Sequence, residues 1–149
     1  MVPRVGAEES WTWAERRLHA IGQHAAAHRE AREAEVRQAR EQIAEFVRHA
    51  AELGLAVVEL HARPYSGRTR YRTGLRGWYV HHNLSLAVGQ GGEYYRLLVP
   101  ATLRARFLGV NVSAEDPPLV VGEGGRDGES IPLRTLLRRR LEAGDNWPS

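Results

Sequence analysis

The chain has 149 residues, 42% of them hydrophobic and 26% charged, with 21 basic residues, 18 acidic residues and no Cys. This length and composition suit one soluble globular domain with a modest core. They exclude disulfides, a thiolate nucleophile and Cys-ligated zinc, and no apolar run approaches the roughly 18 residues that a membrane span requires. The N-terminus carries no basic-then-apolar signal, which sets the expected compartment as the cytoplasm.

All 21 basic residues are Arg. Arg suits bidentate contacts with carboxylate or phosphate, although coding bias in a GC-rich genome explains the absence of Lys from ordinary surface positions as well. The distribution of charge says more. Residues 8–59 hold ten Glu and seven Arg, residues 60–92 hold five Arg and no acid, and residues 93–149 hold eight of each sign. A nearly neutral chain thus carries one concentrated basic segment.

Met1–Ala7 reads as a loose leader and Ser10 as an N-cap, followed by Trp11 and Trp13, at least one of which should pack on the β portion or a second subunit. The stretch Glu8–Leu53 then reads as one long helix, because Gln23–Leu53 contains neither Gly nor Pro and is dominated by Ala, Glu and Arg. Apolar or small residues recur in steps of three and four at Trp11, Ala14, Leu18, Ile21 and Ala25, and again at Val36, Ala39, Ile43, Phe46, Ala50 and Leu53. Between these runs the stripe meets His28 and Arg32. Gly22 and this polar span mark the place where the helix would break if it breaks at all. Unbroken, it would be roughly 65–70 Å long. That surplus implies a coiled-coil seam and a homodimer through Val36–Leu53, unless the same stripe packs on the chain's own sheet.

Leu53-Gly54 has the form of a helix C-terminus with Gly in the left-handed position. Leu55–His61 reads as a strand closed by Pro64, and Tyr65–Gly77 as an Arg-, Gly- and Thr-rich loop or ragged hairpin. The firmest β signal is the meander Trp78–Val99, with strands at Trp78–Val80, Leu84–Val88 and Tyr94–Val99 and a glycine turn at Gln90-Gly91-Gly92. Thr102–Phe107 forms a helical turn or a basic connector. Val110–Val112 and Leu119–Val121 are short strand candidates, Gly122–Glu129 is an acidic loop, and Ser130 caps a last helix over about 131–143, ended by Gly144. The final five residues should fray. The fold class is α+β: a long N-terminal helix, a small antiparallel sheet centred on 78–99 and a C-terminal helix.

Three groups of residues bear on function. Arg63, Arg68, Arg70, Arg72 and Arg76 alternate with Tyr71 and Trp78, and with Tyr65 and Tyr79. Arg clamps phosphates while aromatic faces stack on bases, so this mixture suits nucleic acid; an acidic protein partner, or Glu on the long helix, is the competing ligand. His24 and His28 have metal-ligand spacing on a helix but lack the intervening Glu of the helical metalloprotease motif. His81 and His82, read as strand neighbours, should point to opposite faces. The Gly122–Gly128 spacing misses both the dinucleotide fingerprint and the P-loop. No motif requires a cofactor or a metal. The expectation is therefore a non-enzymatic interaction or regulatory protein contacting nucleic acid or an acidic partner through residues 63–79. The alternatives are a small hydrolase or nuclease using His81 or His82 with late carboxylates, and a structural coiled-coil adaptor.

Overall fold

The computed structural model describes residues 11–122 and 130–147. The expected leader Met1–Ala7, the Ser10 cap and all but the first residue of the acidic loop Gly122–Glu129 lie outside the described residues. By internal contacts the chain divides into a unit ending at Glu35 and a unit beginning at Val36.

Helix α1 (Trp13–Glu52) is continuous through Gly22 and the polar span at 25–32. Thr12 starts it. Its hydroxyl accepts from the Glu15 amide at 3.2 Å while Glu15 Oε2 accepts from the Thr12 amide at 2.8 Å, a capping box that satisfies two orphan donors at once. In the first unit the stripe is not buried: Ala14, Leu18, Ile21 and Ala25 are exposed and Trp11 is half-buried, with Trp13 beside it also exposed. Trp11 sets its ring edge-on to His19 at 4.3 Å, and the Arg17 guanidinium lies 5.2 Å from the centre of the Trp13 ring. Both Trp side chains are thus engaged by the first turns of their own helix.

In the second unit the same periodicity is buried. Ala39, Ile43, Phe46 and Ala50 are buried with Trp78, Val80, Val88 and the leucines of the last helix. Of the two covers expected for this stripe, the chain's own core takes four of the six positions, while Val36 is half-buried and Leu53 is 67% exposed. The C-terminus of α1 follows its sequence. Gly54 adopts φ +69°, its amide donates to Ala51 O, and the Leu55 amide donates to Ala50 O, closing the helix with a paired cap that only a residue tolerant of positive φ allows cheaply.

Five strands follow: β1 (Val58–Pro64), β2 (Tyr71–Tyr79), β3 (Leu86–Gly89), β4 (Tyr94–Arg96) and β5 (Leu98–Val99). They form one sheet in the order β4-β3-β2-β1-β5. The meander β2-β3-β4 is antiparallel as its sequence implies, but β5 pairs parallel to β1, so the sheet is mixed. Leu97, between β4 and β5, donates to Ser85 O and accepts from the Arg63 amide, each at 2.8 Å. The consecutive strands β4 and β5 therefore join opposite ends of the sheet, which rolls up on itself.

Two expected strands shift. β1 starts at Val58 and runs to Pro64, and β2 begins at Tyr71, inside the stretch that reads as a loop. The pairing jumps from Leu60–Leu75 to His61–Arg72. This bulge leaves Thr73 and Gly74 unpaired, so the polar run Arg72-Thr73-Gly74 interrupts the alternation that would otherwise mark a strand. Val110–Val112 is not a strand.

Alternation in the sheet makes two cores. Trp78, Val88 and Tyr94 face α1 and the last helix, whereas their neighbours Tyr79, Ala87 and Tyr95 face inward with Leu60, Ala62, Tyr71 and Leu97. Helix α2 (Leu103–Leu108), capped by the Thr102 hydroxyl, adds Ala105 to the inner core. The short strands β6 (Val120–Val121) and β7 (Ile131–Pro132) pair beside α3 (Leu133–Ala143). Pro132, not Ser130, precedes the first turn of α3, and no side chain caps it. The end of the described chain is anchored: Asp145 accepts from the Ala56 amide at 2.9 Å, and the Arg140 guanidinium lies 4.6 Å from the centre of the Trp147 ring. Among the described residues, no helix is long and apolar enough to cross a membrane.

Candidate nucleic-acid interface

The basic segment is split by its own strand. Tyr71 and Trp78 are buried, Tyr71 in the inner core and Trp78 in the outer one, where its indole N–H donates to Leu55 O at 3.1 Å and its ring meets Phe46 edge-on at 5.8 Å. Neither presents a face to a base, so the expected stacking role of these two rings is corrected: strand alternation turns them into the protein. Arg68 and Arg70 lie on the exposed connection before β2, and Arg70 Nη2 is 3.2 Å from His61 Nδ1. Arg76 is exposed in β2 opposite Glu59. Arg63, near the end of β1, is half-buried, and its Nε has no hydrogen-bond partner among the described residues. None of these Arg forms an ion pair among the described residues; those pairs fall instead on Arg40 with Asp116, Arg48 with Glu45, Arg96 with Glu115 and Arg138 with Glu142.

Arg72 is placed differently. Its Nη2 donates to Phe107 O at 3.3 Å, and its carbonyl accepts from the Val110 amide at 2.8 Å, so the β2 bulge and the end of α2 are fastened together. Gly109 makes that approach feasible: its φ is +78°, and a Cβ there would stand 2.7 Å from Arg72 O. Between the two elements opens a cleft of about 800 Å³, lined by Arg72, Thr73, Thr102, Arg104, Leu108 and Asn111 among others, with no carboxylate in its described lining. From Leu60 to Ala114 the chain carries eight Arg and one acid, Glu93. Arg104 and Arg106 were not singled out from the sequence; they lie beyond the dense cluster, and only the Arg72–α2 contact brings them beside it.

A second cleft, of about 590 Å³, is lined by His81, His82, Asn83, Ser85, Arg96 and Glu115 among others. The two His lie in the turn after β2, outside the strand, and their rings stack 4.5 Å apart at 29°. Strand alternation does not apply there, so the expected opposite orientation is corrected. Asn83 Oδ1 accepts from the amide and the hydroxyl of Ser85, and Leu84 sits at φ +63° within the turn. Glu115 is the one carboxylate in the described lining, and Arg96 holds it through contacts of 2.5 and 3.0 Å; that hydrogen bond raises the Arg96 pKa. Of the late carboxylates expected to join a His, Glu115 is the one that shares this cleft with His81 and His82 among the described residues, and Glu123, Asp127 and Glu129 lie outside them. Among the described residues there is also no group of three or more His, Asp or Glu able to hold a metal, and His24 and His28 are exposed on α1.

Arg140 completes the account of the cations. It is buried on α3, donating from Nε to Tyr79 O and from Nη1 to Gly144 O, both at 2.7 Å. Burial lowers its pKa, and Asp145 opposes the shift. In sequence it looks like its neighbours Arg138 and Arg139, and only the helix period through Leu133, Leu136 and Leu137 marks it as inward-facing.

No family model, curated protein or solved structure matches the chain.

Proposed function

We propose that this protein is a non-enzymatic nucleic-acid-binding protein that holds phosphates in the cleft between the β2 bulge and α2. The observation that carries this reading is the cleft's charge: among the described residues Arg72 and Arg104 line it, and no carboxylate does. A groove of one sign concentrates counter-charged ligands, and Arg is the side chain best matched to phosphate oxygens. The Thr73 hydroxyl donates to Leu60 O, whereas the Thr102 hydroxyl accepts from the Ala105 amide and keeps its own proton to donate. Arg104 has no hydrogen-bond or ion-pair partner among the described residues, and Arg72 spends one donor on Phe107 O. Exposed Arg68 and Arg70 extend the basic surface outside the cleft.

The test is fluorescence anisotropy with labelled DNA and RNA between about 50 and about 200 mM salt. Binding should weaken as salt rises, with each lost phosphate contact flattening the log–log slope by about 0.7 to 0.9. Replacing Arg72 and Arg104 with Ala should lower affinity at low salt and flatten that slope by about 1 to 2. If the unaltered chain binds no nucleic acid even at the lowest salt, the reading fails and an acidic protein partner takes its place.

A further inference from the structure

The side chains around that cleft narrow the class of nucleic acid. Helix α2 buries Ala105 but leaves Leu103, Phe107 and Leu108 74%, 69% and 74% exposed. Three large apolar side chains on six helical residues do not repay their exposure in an isolated protein. Leu108 lines the cleft; Phe107 is not among its described lining residues, but it adjoins Leu108 in the chain and its backbone carbonyl receives Arg72. A duplex keeps its base faces stacked inside and offers mainly phosphate and sugar, which leaves the apolar residues without reward. A second copy of the chain docked through the same patch would set Arg72, Arg104 and Arg106 against themselves. A single strand offers both missing parts, a phosphate chain for the Arg and unpaired base faces for the ring.

We propose that the ligand is single-stranded nucleic acid and that Phe107 stacks on an unpaired base beside phosphates held by Arg72 and Arg104. This inference rests on the nucleic-acid reading above and adds the strand state and the stacking residue. Phe107 also supplies beside α2 what the buried Tyr71 and Trp78 do not, while the exposed Tyr65 lines the other cleft.

The experiment compares four labelled ligands of about 20 nucleotides, long enough to cover a single-strand site: single-stranded DNA, the same sequence as RNA, the DNA duplex, and an abasic strand that keeps the phosphates. The full chain should bind one or both single strands at least about tenfold more tightly than the duplex or the abasic strand, as loss of one stacked base implies. Phe107→Ala should reduce single-strand binding to the abasic level while changing abasic binding less than about twofold, and Phe107→Trp should restore it. The DNA and RNA arms show which sugar is preferred. Equal binding of duplex and single strand, or a Phe107→Ala loss shared by all four ligands, overturns the stacking inference. If Arg72→Ala with Arg104→Ala still weakens binding in that case, the phosphate-cleft reading survives alone. If none of the four ligands binds, both are wrong.

Discussion

The two sides of the rolled sheet use the same residue types in opposite ways. On the outer side, Phe46 and Trp78 meet edge-on in a closed core, and Arg140 is sequestered against Tyr79 O and Gly144 O. Beside α2, Phe107 stands in solvent and Arg104 has no partner among the described residues. Residue identity therefore does not separate structural from ligand-facing groups in this chain; satisfaction does. Where a cation's donors and a ring's faces are occupied by the protein, the side chain maintains the fold. Where they are free, it is available to a ligand.

The sharpest way to break this contrast is to truncate one aromatic on each side. Phe46→Ala should cost about 3–5 kcal/mol, the transfer free energy of a buried ring plus the cavity left among Ile43, Trp78 and the α3 leucines. Phe107→Ala should change stability by no more than about 0.5 kcal/mol. Urea denaturation measures both, and comparable losses would mean that α2 packs more tightly than its exposure indicates.

The arginines give a smaller separation. Arg140→Ala removes two charge-assisted hydrogen bonds and orphans Tyr79 O, so it should cost about 2–4 kcal/mol, whereas Arg104→Ala should stay within about 0.5 kcal/mol. The same denaturation midpoints decide the matter. A stable Arg140→Ala protein would show that Tyr79 O and Gly144 O find water instead.

Much of the outer side could be read from the chain. The three-and-four stepping of Ala39, Ile43, Phe46 and Ala50, the Gly54 cap and the glycine turn before Tyr94 are local signals, and local physics enforces them. What the sequence left ambiguous was which surface covers the stripe, because a sheet of the same chain and a second helix satisfy an apolar face equally well. The site was harder. Strand β2 is interrupted by a bulge that imitates a loop, so its inward Tyr71 looked like part of an exposed Arg–aromatic series. Arg104 joins Arg72 only through the contact between Arg72 and Phe107, 35 positions apart, which no spacing rule reports. Thr12 and Glu15 are the exception among the missed features, since their spacing is a capping signature in plain view.

The smallest of these effects compares neighbours on one strand. Tyr94 faces the helices and Tyr95 the inside of the roll; burial raises the pKa of both, and that of Tyr94 reaches about 12. Burial is the leading cause at Tyr94; Arg96 pulls the value down and Glu115 pushes it up. Its folded pKa thus lies above the unfolded value of 10.0. The native state consequently holds the phenolic proton more tightly, and the stability this contributes is fully present below pH 10, declining as pH rises toward about 12. At about pH 11 the loss should be on the order of 1 kcal/mol relative to about pH 9. Tyr94→Phe cannot ionise, so it should lack that part of the alkaline decline while keeping nearly the same stability at neutral pH. Rapid-mixing urea unfolding at the two pH values measures the difference between the two proteins. Parallel alkaline losses would mean that the Tyr94 hydroxyl reaches solvent, and that the outer core is more open beside Arg96 and Glu115 than on the α1 side.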